Sequence, residues 1–156
     1  MKRRQTKTPS DHEALLTLAE RVRQSVSDFV RTTRSLAETP RTARSETLGL
    51  LDREGAMSTA ALAERRNVKH QSMRLVVVQL QEDGLVEKTS DGSDRRTQVV
   101  MLTAQGRATL RADRRARSEW IAQTLRDHAT AEERRTLEAA LAVLDKIGAL
   151  AAASKP

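Results

Sequence analysis

Two short runs with β-strand character lie on either side of a polar turn, and this pattern restricts the fold more than any other feature of the sequence. The first run is Leu85–Thr89 (LVEKT) and the second is Gln98–Leu102 (QVVML). The intervening residues Ser90–Arg96 include Asp91-Gly92, a pair that favours tight turns. The sequence therefore predicts one β-hairpin, and ordinary turn chemistry accounts for Asp91 and Gly92.

Two short helices are predicted directly before the hairpin. Ser58 can cap the first (STAALAERRN), and Asn67 ends it. The second is expected from about residue 69 to 82, closed by Gly84, with an inner stripe of Val68, Met73, Val76 and Leu80. Such a pair has the outline of a helix-turn-helix, although any small helical bundle contains similar pairs. The adjoining hairpin makes the pattern more specific, because it forms a wing beside the second helix.

Longer helices are predicted on both sides of this central region. Capping boxes at Ser10/Glu13 and Thr130/Glu133 open the first and the last. A linker is expected at Thr32–Pro40, a helix from Thr42 to Arg53, and a long helix capped by Thr103. The first and last helices carry apolar stripes: Leu15, Leu18, Ala19, Val22, Val26, Phe29 and Val30, then Leu137, Ala140, Leu141, Leu144 and Ile147. The stripes can pack together within one chain or form a dimer.

Composition limits the fold and the function further. With one Trp, one Phe and no Tyr, the core must consist of Leu, Val and Ala, which suits packed helices. A net charge of +7 and a pI of 10.7 fit a nucleic-acid partner, although charge alone is weak evidence. There is no cysteine, no Gly-rich phosphate loop, and the three histidines lack metal-ligand spacing. We therefore expect neither an enzyme nor a bound cofactor or metal.

The basic start of the chain, MKRRQTKTPS, lacks the apolar region of a signal peptide. No apolar run approaches the ~20 residues of a membrane span. These features predict a cytoplasmic protein with no membrane partner. The basic residues at the start are interpreted as a solvated tail rather than as a DNA contact.

Three segments resemble the MarR family of bacterial transcription regulators: LQEDGLV at residues 80–86, DGSDRR at 91–96 and LTAQG at 102–106. The turn DGSDRR is the most specific, and the motif-level resemblance covers about residues 42–110. It implies a mostly α fold with a small β-hairpin wing, in a single MarR-type domain over 1–156. Residues 42–103 would form the winged helix-turn-helix, and 10–35 and 104–152 the dimerisation helices. Lys69 departs from the Ser or Thr that usually opens the second helix in this family.

The resemblance makes the helix over 69–82 a recognition helix, whose N-terminal residues contact base edges in the major groove. The candidates there are Lys69, His70, Gln71, Ser72 and Arg74. Gln71 suits adenine and Arg74 suits guanine, each through two hydrogen bonds. For His70 a phosphate contact is equally open, and a merely solvated helix face is the alternative for the whole set.

The wing supplies a second group of candidates. The resemblance implies that Arg95 and Arg96 reach the DNA backbone or minor groove, where arginine suits the concentrated negative potential. Asp94 is expected to orient an arginine through a charge-assisted hydrogen bond. Lys88 is expected to contact phosphate, and Arg65 and Arg66 are weaker candidates for the same role. The arginines between residues 107 and 117 are interpreted as a solvated helix face.

The resemblance implies a twofold homodimer on double-stranded DNA with a pseudo-palindromic operator, most often as a repressor. Many relatives release DNA when a small phenolic or anionic effector binds between the dimer helices and the DNA-binding region. No residue in the sequence identifies such an effector. The competing hypothesis is a low-specificity, nucleoid-associated DNA-binding protein with the same fold.

Overall fold

The structure, a computed structural model, describes residues 11–90 and 98–153. In this part of the chain the helices are α1 (Asp11–Leu36), α2 (Ala43–Glu54), α3 (Thr59–Arg65), α4 (His70–Glu82), α5 (Ala104–His128) and α6 (Ala131–Ala153). The strands β1 (Val86–Ser90) and β2 (Gln98–Leu102) pair as an antiparallel hairpin. The predicted class, mostly helical with one small hairpin, is confirmed.

Side-chain caps begin most of these helices where the sequence predicts them. Thr42, Ser58 and Thr103 each accept a hydrogen bond from a backbone N–H of the following turn. Thr130 and Glu133 form the predicted capping box of α6. Hydrogen bonds from the backbone and the side chain of Thr130 lower the pKa of the Glu133 carboxyl. The other predicted capping residue, Ser10, lies outside the described residues.

The predicted linker Thr32–Pro40 is wrong in its first half, because α1 continues to Leu36. Thr33 is buried within this last part of α1, which packs against α5. Tertiary packing therefore extends the helix through a stretch whose Ser and Thr residues favour turns in isolation. The chain turns only at Glu38, which has a positive φ, and at Pro40.

The core lies beneath α2, α3, α4 and the hairpin, and it is built from Leu, Val and Met as the composition predicts. Its fully buried side chains include Leu62, Met73, Val77, Leu80 and Val100. The predicted inner stripe of α4 is wrong at two positions. Val76 is only partly buried, whereas its neighbour Val77 is fully buried, and Val68 is 40% exposed. Met73, Val77 and Leu80 follow helical spacing and form the buried face, and the partly buried Val76 packs against the core beside them.

The base of the hairpin is fastened on both sides. In β1 and β2, Val86 pairs with Leu102 and Lys88 with Val100, while Met57 exchanges two backbone hydrogen bonds with Val100. The Thr103 hydroxyl donates to the Gly84 carbonyl at 2.6 Å. Gly84 itself has a φ of 69°, as expected for a residue that follows a helix. These contacts fix the hairpin relative to the end of α4.

The two outer helices leave most of their apolar residues uncovered in a single chain. Every residue of α1 from Asp11 to Val30 is exposed, including Leu15, Val26 and Phe29 of its apolar stripe. In α6, Leu137, Leu141 and Ile147 are between 43% and 57% exposed. None of the helices in the described ranges is long and apolar enough to cross a membrane.

Candidate nucleic-acid interface

The N-terminal half of α4 presents an exposed, basic and polar surface. Its residues Lys69, His70, Gln71, Ser72 and Arg74 are all exposed. The first turn of α4 has no acidic residue, and within the described ranges none of the five forms an ion pair. Their positive charges and hydrogen-bonding groups therefore remain available to an anionic partner.

Lys69 caps α4 through its backbone conformation alone. Its φ and ψ of −63° and 138° are extended, and its side chain makes no capping hydrogen bond. The first N–H groups of α4 thus have no side-chain oxygen at this position to satisfy them. A helix N-terminus with free N–H groups carries partial positive charge, which adds to that of the Lys69 side chain.

Ion pairs hold α4 and its neighbour α3 against α2. Arg44 on α2 pairs with Asp83 at the end of α4. Arg66 pairs with Glu46 and also donates to the Ala43 carbonyl at 2.6 Å. The hydrogen bond from Arg41, together with the nearby Arg66, lowers the pKa of the Glu46 carboxyl. These contacts join the end of α4 and the end of α3 to α2.

Arg66 is the one proposed phosphate contact that the structure contradicts. Its side chain is only 14% exposed, and its guanidinium is committed to Glu46, Ala43 and Thr47. Arg66 directly follows α3, so these bonds attach the end of α3 to α2. Arg65 remains 62% exposed and pairs with Glu54 at 2.6 Å.

The hairpin adds one further exposed cation. Lys88 is exposed on β1, opposite the buried Val100 of β2. The remaining wing candidates, Asp94, Arg95 and Arg96, lie outside the described residues, as do Asp91 and Gly92. Their contacts therefore stay predictions.

Two large apolar side chains are exposed on α4 directly after the polar candidates, and the sequence pattern did not assign Leu75 to any role. Leu75 is 61% exposed and Val78 is 39% exposed. Only the observed burial of Met73, Val77 and Leu80 shows which side of α4 faces outward.

A second region of high positive charge lies behind α4, where α1, α2 and α5 meet. A cavity of about 480 Å³ there is lined by seven arginines and two acidic residues: Arg34, Arg41, Arg53, Arg65, Arg66, Arg114 and Arg117, with Glu46 and Asp113. Several of these arginines are paired, for example Arg114 with Asp52 at 2.6 Å. The surplus of cations nevertheless favours an anionic occupant.

Arg117 is a partly buried cation of this region. Burial lowers its pKa, and the neighbouring Arg34 and Arg114 lower it further. One of its guanidinium nitrogens donates to the Thr39 hydroxyl at 3.1 Å. The interpretation of the arginines at 107–117 as a solvated face is therefore only partly correct: Arg115 pairs with Glu119 on the surface, whereas Arg117 faces the cavity.

A neighbouring cavity of about 450 Å³ between α1 and α5 shares Arg34, Arg114 and Arg117 with the first. Phe29, Val30 and Ile121 supply an apolar wall there. The Thr33 hydroxyl, which also lines this cavity, is buried without a hydrogen-bond partner among the described residues. The pair of cavities thus combines cations, an apolar wall and an unsatisfied hydroxyl. No cluster of metal-ligating side chains occurs within 11–90 and 98–153.

Comparisons of the sequence with known proteins agree with the geometry of the helices and hairpin. Residues 39–97 match the model of the MarR family. An HTH-type transcriptional regulator of Mycobacterium tuberculosis is 38% identical over 78 residues, which are 50% of this chain and 54% of the relative. The chain thus spans about half the length of the curated relatives it matches.

Solved structures extend the similarity of the fold to nearly the whole chain. The transcriptional regulator Tm0710 of Thermotoga maritima superposes with a TM-score of 0.76 at 19% identity, over 89% of this chain and 99% of that one. A point mutant of S. aureus MepR, bound to an oligodeoxyribonucleotide, superposes with a TM-score of 0.60 at 18% identity, over 83% and 96%. At these identities the likeness establishes the fold.

Proposed function

We propose that the chain is a MarR-type regulator that binds double-stranded DNA in a sequence-specific manner, because residues 39–97 match the model of that family and the curated relatives are HTH-type transcriptional regulators. The printed descriptions of these relatives, all HTH-type transcriptional regulators, support the expectation that it is not an enzyme. The observation that carries the proposal is the exposed, acid-free N-terminal half of α4, held on a packed base beside the hairpin. This is the arrangement in which a helix enters the major groove.

In this proposal α4 is the recognition helix and the hairpin is the wing. Gln71 and Arg74 would read bases, since each can form two hydrogen bonds with one base. The remaining contacts would fix the position on the DNA: Lys69, His70 and Ser72 at the start of α4, and Lys88, Arg95 and Arg96 on the wing. Asp94 would orient one of the arginines through a charge-assisted hydrogen bond. The winged helix-turn-helix would occupy 42–103 and the dimerisation helices 10–35 and 104–152.

Sequence specificity separates this proposal from the nucleoid-associated alternative. Duplexes enriched by the protein from a random library can be compared with scrambled duplexes of equal length across a range of salt concentrations. A specific regulator keeps an affinity ratio of ~10³ or more at physiological salt. A low-specificity protein loses affinity for both duplexes in parallel, because phosphate contacts alone depend on counterion release. A ratio near one would contradict the regulator and favour the alternative.

We further propose that the functional unit is a homodimer built from α1 and α6. Support comes from the exposed apolar stripes, which include Phe29 on α1 and Leu141 and Ile147 on α6. Contiguous exposed apolar surface of this kind marks protein interfaces. A twofold dimer would present two recognition helices to a pseudo-palindrome and thereby double the specific contacts.

Leu141→Asp is expected to raise the dimer dissociation constant by at least tenfold, since each leucine contributes about 2 kcal/mol when buried. The monomer should stay folded, because Leu141 is 51% exposed in the single chain. Sedimentation equilibrium measures the effect. Ala139→Asp, also exposed but on the opposite side of α6, is the matched control and should leave the dimer intact. A monomeric wild-type protein, or equal effects of both substitutions, would contradict the proposal.

The two arginine-lined cavities are our proposed effector site. Their cations would bind a carboxylate, and Phe29, Val30 and Ile121 would cover an apolar or aromatic body. The site lies where α1 and α5 meet α2, which pairs with the end of α4 through Arg44 and Asp83. An occupant could thus shift α4 relative to the outer helices and weaken DNA binding.

Benzoate serves as a probe of this site. We expect it to raise the melting temperature of the protein and to lower its affinity for an enriched duplex. Arg117→Gln should weaken benzoate binding by about tenfold, the loss typical of a hydrogen bond to a charged group. The matched control is Arg111→Gln, since Arg111 is exposed on the same helix but lines neither cavity. Equal responses of the two variants to benzoate would refute the assignment of the site.

A further inference from the structure

The outward side of α4 carries an apolar ridge that neither folding nor the polar contacts explain. Leu75 and Val78 follow Gln71 at four and seven residues along the chain, so all three lie on one side of the helix. Met73, Val77 and Leu80 are at most 1% exposed and define the opposite, buried side. Leu75 is 61% exposed, so the core does not require its four-carbon side chain.

The surroundings of this ridge favour nucleic acid as its partner. Between residues 69 and 81 the chain has two basic residues and a histidine but no acidic residue, and the first acid, Glu82, follows one turn after Val78. Lys69 and Arg74 lie within six residues of Leu75 and are exposed. An apolar side chain among unpaired cations fits a partner that offers phosphates around an apolar group.

In the major groove the apolar group that a base pair offers is the C5-methyl of thymine. We propose that Leu75, flanked by Val78, contacts a thymine methyl and thereby determines part of the DNA sequence preference. The inference rests on the proposed function, because it needs α4 to lie in the major groove. It adds a residue to the recognition surface that polar pairing rules do not reveal.

Helix geometry places the recognised thymine close to the base read by Gln71. Four residues of α-helix rise about 6 Å. Base pairs stack about 3.4 Å apart along the duplex. The thymine methyl under Leu75 is therefore expected within two base pairs of the position that Gln71 contacts.

Replacing thymine by deoxyuridine tests this contact, because the two bases differ only in the methyl group. In the duplex enriched from a random library, each thymine of one half-site is replaced in turn. We expect wild-type affinity to fall about fourfold at one position, which corresponds to about 0.8 kcal/mol for one buried methyl group. Gln71→Ala should relax the preference at a position within two base pairs of it.

Leu75→Ala is expected to bind the unmodified duplex at least fourfold more weakly than the wild type does. The deoxyuridine replacement should not weaken the binding of this variant further. Leu75→Met keeps an apolar contact and should retain the sensitivity to the methyl group. Arg135→Ala, at an exposed position of α6 on the side away from its apolar stripe, is the control and should behave like the wild type.

Three results would overturn the inference. The first is that no deoxyuridine replacement in the enriched duplex changes the affinity of the wild type. The second is that the deoxyuridine replacement lowers the affinity of Leu75→Ala as much as it lowers that of the wild type. The third is a change of oligomeric state by Leu75→Ala with unaltered sensitivity to the methyl group, which would make the ridge a contact between copies of the chain. Failure of the library to enrich any sequence would instead refute the proposed function itself, so the two failures are distinguishable.

Discussion

Arg74→Ala will weaken binding to an enriched duplex by roughly five- to 150-fold, or about 1–3 kcal/mol, and will relax the preference at one base position. Arg74 lies on the second turn of α4, where it is exposed and has no ion-pair partner among the described residues. Its guanidinium can therefore donate two hydrogen bonds to O6 and N7 of guanine. Competition binding with each guanine of the half-site replaced in turn measures both effects.

The pattern of the loss identifies the kind of contact. Loss of affinity on one guanine-containing sequence supports base recognition by Arg74, whereas an equal loss on all sequences would reduce it to a phosphate contact. Arg135→Ala, on the exposed surface of α6, is the matched control and should leave DNA affinity unchanged. If Arg74→Ala binds the enriched duplex as tightly as the wild type does, α4 is not the recognition helix.

Gly106→Ala is expected to lower the free energy of unfolding by about 3 kcal/mol, at the upper end of the range for overpacking a core. A Cβ atom at this position would lie 2.1 Å from the carbonyl oxygen of Leu85 and 3.2 Å from a side-chain carbon of Leu102. The first of these neighbours is backbone, and it accepts the hydrogen bond of the Thr103 N–H. Relief of the clash must therefore separate the start of α5 from the start of β1.

Urea unfolding measures this loss of stability. Gly148→Ala is the matched control, since Gly148 is also helical but its Cβ would meet no atom within 4 Å. Alanine has the higher helix propensity, so this control should be neutral or more stable by up to about 1 kcal/mol. Equal stability of Gly106→Ala and the wild type would show that the contact between α5 and Leu85 is looser than described.

Local sequence signals predicted the elements that local physical chemistry determines. The capping residues Thr42, Ser58 and Thr103 bond to the next turn of their own helices, so their effect is visible in a short stretch of sequence. The hairpin follows equally from its alternating strands and its turn residues. These signals were sufficient for the fold class and the position of α4.

Signals that depend on packing between distant residues were not visible in the same way. Which valine of α4 enters the core depends on how α4 lies on α2 and α3, and the sequence pattern alone placed Val76 where the structure has Val77. Arg66 was interpreted as a surface cation because its partner Glu46 is twenty residues away in sequence. The exposure of Leu75 and the confinement of Arg117 follow from the same long-range packing.

The central claim is that two copies of α4 read one DNA site in a specific manner. Selection of duplexes from a random library, followed by sequencing of the retained fragments, tests it most directly. The account predicts one enriched motif that is an inverted repeat, with half-site centres about one helical turn, or roughly 10 base pairs, apart. Retention of fragments with no common motif, or with a single unrepeated half-site, would contradict it.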